Sequence, residues 1–180
     1  MRVIGGTLKG RIFSPEKNFR SRPTTDMAKE SLFNILANII DFEEIKALDL
    51  FSGTGSISYE LASRGCKNIL SIENDFYHYK FIIKCIEELN LQQIIKPIKQ
   101  DVFAFLQREE FSDFDLIFAD PPFDLSNIKL LPQLILNSSL LKKDGLLIIE
   151  HGSEHNFSNI QFFWQVRHYG KVFFSFFKLT

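Results

Sequence analysis

The sequence predicts an α/β fold, a mainly parallel sheet covered by helices on both faces. Short apolar segments alternate with segments of helical periodicity up to residue 150. A glycine turn, Ser52 to Gly55, follows the apolar segment 45–50 and precedes a helical segment. Two strand-like segments near the C-terminus are separated by Tyr169-Gly170 and predict a hairpin. The alternation implies right-handed crossovers and parallel strands, and the hairpin adds an antiparallel pair at the edge, for seven strands in all.

The first 43 residues are expected to form an extension that precedes the main domain, residues 44–180. Val3-Ile4 and Arg11-Ile12-Phe13 flank the glycine-rich stretch 5–10 and predict a small β-hairpin. A loop without periodicity follows, and Asp26 is the predicted N-cap of a helix that ends before Asp41. The apolar face of this helix consists of Leu32, Ile35, Leu36, Ile39 and Ile40.

The remaining elements follow from apolar patterning and helix signals. Predicted strands cover residues 45–50, 68–73, 94–98, 114–119, 146–150, 162–168 and 171–179. Gly65 ends the helix after the glycine turn, and Asp101 caps a short helix through Leu106. A helix over 75–89 is expected to turn Phe76, Tyr79, Ile83 and Ile86 inward. Residues 128–136 are predicted helical despite Pro132.

Composition excludes several classes of protein. With 180 residues, 45% of them hydrophobic, the chain can bury one sizeable core. Cys66 and Cys85 are too few for a disulfide or zinc framework, and we expect no metal site. The N-terminus lacks an apolar signal core, and no run approaches the roughly 20 residues that span a membrane. We therefore expect a soluble, cytoplasmic monomer without a membrane partner.

Charge is distributed unevenly along the chain. Residues 1–29 hold seven Lys/Arg and two Asp/Glu, a net charge of +5, whereas the whole chain carries −1. A basic arm on an acidic body is typical of a protein that meets a polyanion at one end. A solvated basic hairpin would give the same composition.

Four carboxylates fall where predicted parallel strands end. Asp49 and Glu73 end the first and second strands, and Asp101 and Asp120 follow the third and fourth. Open α/β sheets bind ligands at this edge, so the four side chains predict a ligand site. Taken singly, Asp101 could be only a helix cap, Glu73 a strand end in water, and Asp49 a turn stabiliser.

The spacing around the glycine turn indicates the cofactor. Glu73 stands 18 residues after Gly55, near the position where an acid accepts ribose hydroxyls in dinucleotide-binding folds. Ser58 occupies the place of the third glycine of that motif, so a pyrophosphate is poorly provided for. S-adenosylmethionine has an adenosine, no phosphate, and a positive sulfonium that a rim of carboxylates attracts.

The segment Asp120-Pro121-Pro122-Phe123 indicates the acceptor. Two prolines stiffen the backbone, which leaves the Asp120 carboxylate and the Pro121 carbonyl as acceptors for the two N–H groups of an exocyclic amine. An amine held in this way can aim its lone pair at a sulfonium methyl group, and Phe123 can stack on the base. A rigid turn with Phe123 in the core is the alternative.

Several motifs resemble the bacterial RsmD family nearly end to end. They are Arg2 to Gly6, Lys9-Gly10-Arg11, Arg22 to Asp26, Glu30, Leu32 to Leu36, Asp49 to Gly55, Ser63-Arg64-Gly65, Asp120 to Phe123 and Glu150-His151. The resemblance implies a class I methyltransferase (Rossmann-like) fold. It also implies methylation by S-adenosylmethionine of guanine N2 in small-subunit (16S) ribosomal RNA that already carries ribosomal proteins.

The resemblance also implies roles for particular residues. Cofactor contacts are expected at Asp49, Phe51, Gly53, Gly55, Glu73 and Asp101. The catalytic residues, which contact the methyl acceptor, are expected to be Asp120, Pro121 and Phe123. With the charge of the arm, RNA contacts are expected at Arg2, Lys9, Arg11, Arg20, Arg22 and Thr24.

Three other functions use the same fold. An adenine-N6 DNA methyltransferase would share the core but usually needs a recognition domain for which this chain has no room. A nicotinamide enzyme is disfavoured by Ser58 and the acidic rim. A non-catalytic RNA-binding domain would have no reason to keep Gly53, Gly55, Glu73 and Asp120 together.

Overall fold

One seven-stranded sheet organises the computed structural model, which describes residues 1–14, 25–108, 110–123 and 125–180. Its strands are β1 (Lys46–Leu50), β2 (Asn68–Glu73), β3 (Ile95–Lys99), β4 (Phe114–Ala119), β5 (Leu141–His151), β6 (Phe163–Tyr169) and β7 (Val172–Lys178). The spatial order is β3-β2-β1-β4-β5-β7-β6. Strands β1 to β5 are parallel, while β7 runs antiparallel to β5 and to β6. The predicted α/β fold class is confirmed.

Helices cover both faces of the sheet because successive side chains of a buried strand point to opposite sides. They are α1 (Asp26–Leu36), α2 (Ser56–Ser63), α3 (Phe76–Glu88), α4 (Val102–Leu106) and α5 (Leu131–Leu136), which a 3₁₀ turn (Ile128–Leu130) precedes. Helices α1, α2 and α3 share one core with Ala47 and Phe118, and α4 and α5 share the other with Leu48 and Ile117. None of these helices is long and apolar enough to cross a lipid bilayer.

Strand ends were predicted best where a local signal marks them. Strands β2 and β4 have the predicted bounds, and the short helix capped by Asp101 is confirmed. Strand β5 begins at Leu141, five residues before the predicted start, because a bulge carries the polar residues 142–144 within the strand. The C-terminal hairpin is confirmed within one residue at each strand.

The prediction for α1 was wrong at both ends. Thr25, not Asp26, is the N-cap, and its hydroxyl accepts a hydrogen bond from the backbone N–H of Ala28. The helix ends at Leu36 instead of residue 40. The Asn38 side chain donates to the carbonyl of Asn34, which an α-helix would use for the backbone N–H of Asn38.

The predicted inward face of α3 was wrong in part. Of the four residues expected to face inward, Ile86 is buried, Tyr79 and Ile83 are half-buried, and Phe76 is exposed. The other buried residues of α3 are Ile82 and Cys85. The periodicity therefore predicted the helix correctly, and the face that meets the core is rotated toward Ile82 and Cys85.

The N-terminal segment pairs with itself at its ends, where backbone hydrogen bonds join Met1 to Phe13 and Val3 to Gly10 and Arg11, and it contacts α2 in between. Instead of two strands, it has one antiparallel bridge, between Arg2 and Ile12. The carboxylate of Glu60, fully buried on α2, accepts hydrogen bonds of 2.8 Å from the backbone N–H groups of Ile4 and Gly5. The hairpin therefore forms only at its base, because the glycine-rich stretch uses its backbone groups on α2.

Two charged side chains complete this junction. Arg64 lies one turn after Glu60 and donates to it at 3.0 Å. Lys29, buried on α1, has its Nζ 3.8 Å from the same carboxylate and donates to the carbonyl of Arg2 and the hydroxyl of Ser56. Glu60 thus connects the N-terminal segment, α1 and α2.

Ser63 extends the junction along α2. Its carbonyl accepts from the backbone N–H of Thr7 at 2.7 Å, and its hydroxyl oxygen accepts from that of Leu8 at 2.9 Å. Gly6 has a φ of 72°, and a Cβ there would lie 1.8 Å from the Ser63 carbonyl oxygen. Only glycine allows the segment to approach α2 this closely.

Replacement of Glu60 by alanine should lower the free energy of unfolding by about 3–5 kcal/mol. The change leaves the buried Lys29 without its carboxylate and the N–H groups of Ile4 and Gly5 without acceptors. Urea unfolding monitored by circular dichroism measures the loss. Glu43→Ala is the control, since the exposed pair of Glu43 with Lys67 should contribute less than about 1 kcal/mol. Similar losses in both variants would contradict the role of Glu60.

Candidate active site

A cavity of about 610 Å³ lies at the carboxyl ends of the parallel strands. Four consecutive strand ends contribute to it, as a ligand site in an open α/β sheet requires. Its lining residues are Phe51 and Gly53 after β1; Glu73 and Asn74 at the end of β2; Asp75 and His78 at the start of α3; Asp101, Val102 and Phe103 after β3; and Asp120, Pro121, Pro122, Phe123 and Leu125 after β4.

The cavity brings together most of the residues expected to bind a ligand. Phe51, Gly53, Glu73 and Asp101 line it, as do Asp120, Pro121 and Phe123. Asp49, on β1, and Gly55, just before α2, lie on either side of the glycine loop but do not line the cavity. For these two, direct contact with a ligand stays a prediction.

The loop after β1 has the bare backbone that its glycines predict. Phe51, Gly53 and Gly55 all have positive φ, at 57°, 55° and 79°. A Cβ on Gly53 would meet only the Phe51 carbonyl oxygen, at 3.9 Å, whereas a Cβ on Gly55 would lie 2.4 Å from the Tyr59 hydroxyl. Gly53 therefore leaves room for a ligand. At position 55, only a residue without a Cβ avoids the side chain of Tyr59, which lies one turn further along α2.

Glu73 joins the first two loops of the cavity. One carboxylate oxygen accepts from the backbone N–H of Gly53 at 2.7 Å, and the other accepts from that of Asp75 at 2.7 Å. Each oxygen retains a further lone pair for a ligand hydroxyl. The side chain therefore fixes the glycine loop and can also serve as an acceptor.

Asp49 lies beneath the loop. It is buried, and its carboxylate accepts a hydrogen bond of 2.6 Å from the hydroxyl of Ser58 on α2. Burial raises the pKa of Asp49 to about 7, although the Ser58 hydrogen bonds oppose the shift. Asp49 thus holds α2 against β1 from below the cavity.

Asp101 combines two of its possible roles. Its carboxylate caps α4 by accepting from the backbone N–H of Ala104 at 3.0 Å. It also lines the cavity, beside the apolar wall of Phe51, Val102 and Phe103. A helix cap and a ligand contact are compatible here, because a carboxylate has free lone pairs beyond the cap.

The loop after β4 forms the outer wall of the cavity. Phe123 is 68% exposed, so the alternative of a core phenylalanine is wrong. Asp120 is half-buried, and its backbone N–H donates to the carbonyl of Leu50. Burial raises the pKa of Asp120 well above its usual range, and the carboxylates of Glu150 and Asp49 add to the shift.

Sequence reasoning missed two residues around this site. Glu150 is a fifth carboxylate near a strand end, on β5, and it is buried. The rule that identified the other four carboxylates would also have found it. His78 lines the cavity from the first turn of α3, with Nδ1 3.9 Å from a Glu73 oxygen.

The three expected RNA contacts that the structure describes do not line the cavity. Lys9 and Arg11 are exposed. Arg2 is also exposed, and its guanidinium is 3.2 Å from the carboxylate of Asp26. Arg20, Arg22 and Thr24 fall outside the described residues.

Comparison with known proteins gives consistent matches over almost the whole chain. The family model described as Conserved hypothetical protein 95 matches residues 1–178. Ribosomal RNA small subunit methyltransferase D of Haemophilus influenzae is 32% identical over 152 residues, 83% of this chain and 78% of that protein.

Solved structures share the fold. The Escherichia coli protein yhhF superposes with a TM-score of 0.85 at 25% identity, covering 99% of this chain and 97% of that one. An RNA methyltransferase from Salinibacter ruber, solved with S-adenosyl-L-homocysteine, has a TM-score of 0.67 at 17% identity, covering 88% and 94% of the two chains. The second match concerns the fold alone.

Replacement of Asp49 by asparagine should flatten the pH dependence of stability. Between pH 3.8 and about 7 the folded protein keeps a proton on Asp49 that the unfolded chain has released, so the wild-type free energy of unfolding falls as pH rises through this window. Relative to the wild type, the variant should gain on the order of 4 kcal/mol at most between pH 4 and pH 8. Urea unfolding at both pH values measures this.

Asp75→Asn is a control of opposite sign. Backbone N–H groups of His78 and Tyr77 lower the pKa of Asp75, so its contribution to stability is lost as pH falls. The Asp75 variant should therefore lose relative to the wild type as pH rises toward 3.8, and its difference from the wild type should change little between pH 4 and pH 8. A constant difference between Asp49→Asn and the wild type at pH 4 and pH 8 would contradict the raised pKa of Asp49.

Proposed function

The chain belongs to the RsmD family of ribosomal RNA methyltransferases, and on that basis we propose that it methylates N2 of a guanine in 16S ribosomal RNA with S-adenosylmethionine. The observation that carries the proposal is one cavity lined both by the glycine loop with Glu73 and by Asp120, Pro121 and Phe123. Cofactor chemistry and acceptor chemistry thus share one site.

The residues of the cavity fit S-adenosylmethionine. Gly53 leaves its backbone open to a ligand, and Glu73 has lone pairs for ribose hydroxyls. Phe51, Val102 and Phe103 offer an apolar wall for an adenine ring. When bound, the cofactor supplies an electrophilic methyl group on a positively charged sulfur, and the surrounding carboxylates favour that charge.

Asp120, Pro121 and Phe123 would hold the acceptor. The carboxylate of Asp120 and the carbonyl of Pro121 accept the two N–H groups of the guanine amine, which orients its lone pair for an in-line displacement. Positive charge develops on the amine during transfer, and Asp120 stabilises it. The exposed ring of Phe123 can stack on the base as the base enters.

The ionisation of Asp120 fits this role. In the free protein, burial and the carboxylates of Glu150 and Asp49 hold its pKa well above the usual range. A positive ligand beside Asp120 favours the ionised form. Cofactor binding would therefore prepare the carboxylate that accepts the amine hydrogens.

The N-terminal segment would bind the RNA backbone. We assign phosphate contacts to Arg2, Lys9 and Arg11, and extend the assignment to Arg20, Arg22 and Thr24 in the undescribed segment. The side chains of Lys9 and Arg11 are exposed, while the backbone beneath them is tied to α2 through Glu60 and Ser63. A rigid base with exposed cations suits phosphate binding.

The proposal includes the cellular setting. Residues 1–43 would be the RNA-contacting extension and residues 44–180 the methyltransferase domain. The protein would act as a monomer in the cytoplasm on RNA that already carries ribosomal proteins.

Methyl transfer from labelled S-adenosylmethionine to three substrates tests the function. The substrates are small ribosomal subunits that lack the modification, naked 16S RNA and duplex DNA, followed by identification of the methylated nucleoside. We expect N2-methylguanine from the subunits. N6-methyladenine from DNA, or cofactor binding without transfer to any substrate, would contradict the acceptor assignment.

Asp120→Ala belongs in the same experiment. It should lower kcat by on the order of 10²-fold with cofactor affinity nearly unchanged, because it removes an acceptor used in the transition state. Glu87→Ala, an exposed carboxylate on α3, is the control and should retain wild-type turnover.

The arm should contribute to the salt dependence of RNA binding. Replacement of Lys9 or Arg11 by alanine should reduce the slope of log K against log salt by about 0.7 each, since each removes one phosphate contact. Filter binding at several salt concentrations measures the slope. Lys143→Ala is the control, because exposed Lys143 lies near the amino end of β5, away from the cavity. Unchanged slopes in the arm variants would refute the phosphate contacts.

A further inference from the structure

The exposed face of α3 combines aromatic rings and lysines beside the cavity. Tyr77 is 72% exposed and Phe76 is 48% exposed, which is unusual for large apolar rings in the first turn of a helix. Lys80 and Lys84 are exposed further along the same helix. Residues three, four and seven apart lie on one side of a helix, so these four side chains form a single surface, which we call the α3 stripe.

Contacts within the stripe fix its arrangement. The ring of Tyr77 meets that of Phe76 edge to face, with centroids 5.7 Å apart. The Nζ of Lys80 lies 4.6 Å from the centroid of the Phe76 ring. Phe76 thus contacts both Tyr77 and Lys80, and the Tyr77 ring beside it stays exposed.

The stripe begins at the rim of the cavity. Asp75 and His78, which flank Phe76 and Tyr77 in sequence, both line the cavity. From Tyr77 to Lys84 the helix rises about 10 Å, so the aromatic end lies at the rim and the lysines lie progressively farther away. A strand whose target base enters the cavity could continue along this face.

We propose, on the basis of the function proposed above, that the α3 stripe binds single-stranded RNA next to the methylated nucleotide. A neighbouring base stacks on Tyr77, with Phe76 supporting that ring, and the phosphates that follow contact Lys80 and Lys84. Aromatic rings beside a line of cations are the usual means of binding unpaired nucleotides without sequence readout. The acidic cavity and the basic stripe thus receive different parts of one RNA chain.

Binding to an unmodified 16S RNA fragment tests the stripe independently of catalysis. Tyr77→Ala should weaken RNA binding about tenfold, Tyr77→Phe should restore it, and cofactor affinity should be unchanged in both. In the methyl-transfer assay, Tyr77→Ala should raise KM for small ribosomal subunits by the same factor and leave kcat unchanged. Lys80→Met should reduce the salt slope of binding by about 0.7.

Matched controls come from the opposite edge and end of the sheet. Trp164 on β6 is 46% exposed, and Trp164→Ala should leave RNA binding unchanged, as should Lys143→Met. Equal effects of Tyr77→Ala and Trp164→Ala would overturn the proposal. So would a Tyr77→Ala defect seen with assembled subunits but not with naked RNA, because the stripe would then contact a ribosomal protein. If the wild-type protein binds RNA but transfers no methyl group, the proposed function is refuted. The RNA-binding results of the Tyr77 and Trp164 variants then still decide whether the stripe binds RNA.

Discussion

The carboxylate of Glu60 is the interaction on which the rest of the site depends. A fully buried carboxylate costs several kcal/mol unless its lone pairs are used and its charge is matched. Here the backbone N–H groups of Ile4 and Gly5, the guanidinium of Arg64 and the ammonium of Lys29 meet that requirement together. None of these partners suffices alone, so the N-terminal segment, α1 and α2 have to be in place at the same time.

This junction also determines the position of the glycine loop. Helix α2 begins at Ser56, immediately after Gly55, and Lys29 donates to the Ser56 hydroxyl. Two residues further along α2, Ser58 binds Asp49 on β1. The loop is therefore held from α1 on one side and from the sheet on the other. A loop held at both ends can keep the positive φ of Phe51, which a freely mobile chain would rarely adopt.

Local signals predicted the sheet well, but they could not predict which residues meet across long separations. Strand β4 ends at Ala119 because Asp120-Pro121 follows it, and this signal can be read from neighbouring residues alone. By contrast, Ile4 and Glu60 are 56 residues apart, and nothing near Glu60 marks it as buried. The third glycine position gives a similar lesson. Its occupant Ser58 predicts a poor fit for a pyrophosphate, but the bond of Ser58 to Asp49 could not be predicted, because it depends on the packing of α2 against β1.

Charge separation explains the arrangement of the basic and acidic parts. Burial and the carboxylates of Glu150 and Asp49 raise the pKa of Asp120, so a further negative charge is disfavoured at this end of the sheet. Such a site favours a sulfonium and repels phosphates. Under the proposed function, an RNA substrate would therefore present an uncharged base to the cavity, and its phosphates would be bound elsewhere. The basic residues lie outside the cavity, as this separation requires. Lys9 and Arg11 are on the N-terminal segment, and the lysines of the α3 stripe lie beyond its aromatic end. At the rim itself the rings of Tyr77 and Phe123 face solvent, and these can bind a base without attracting its phosphate.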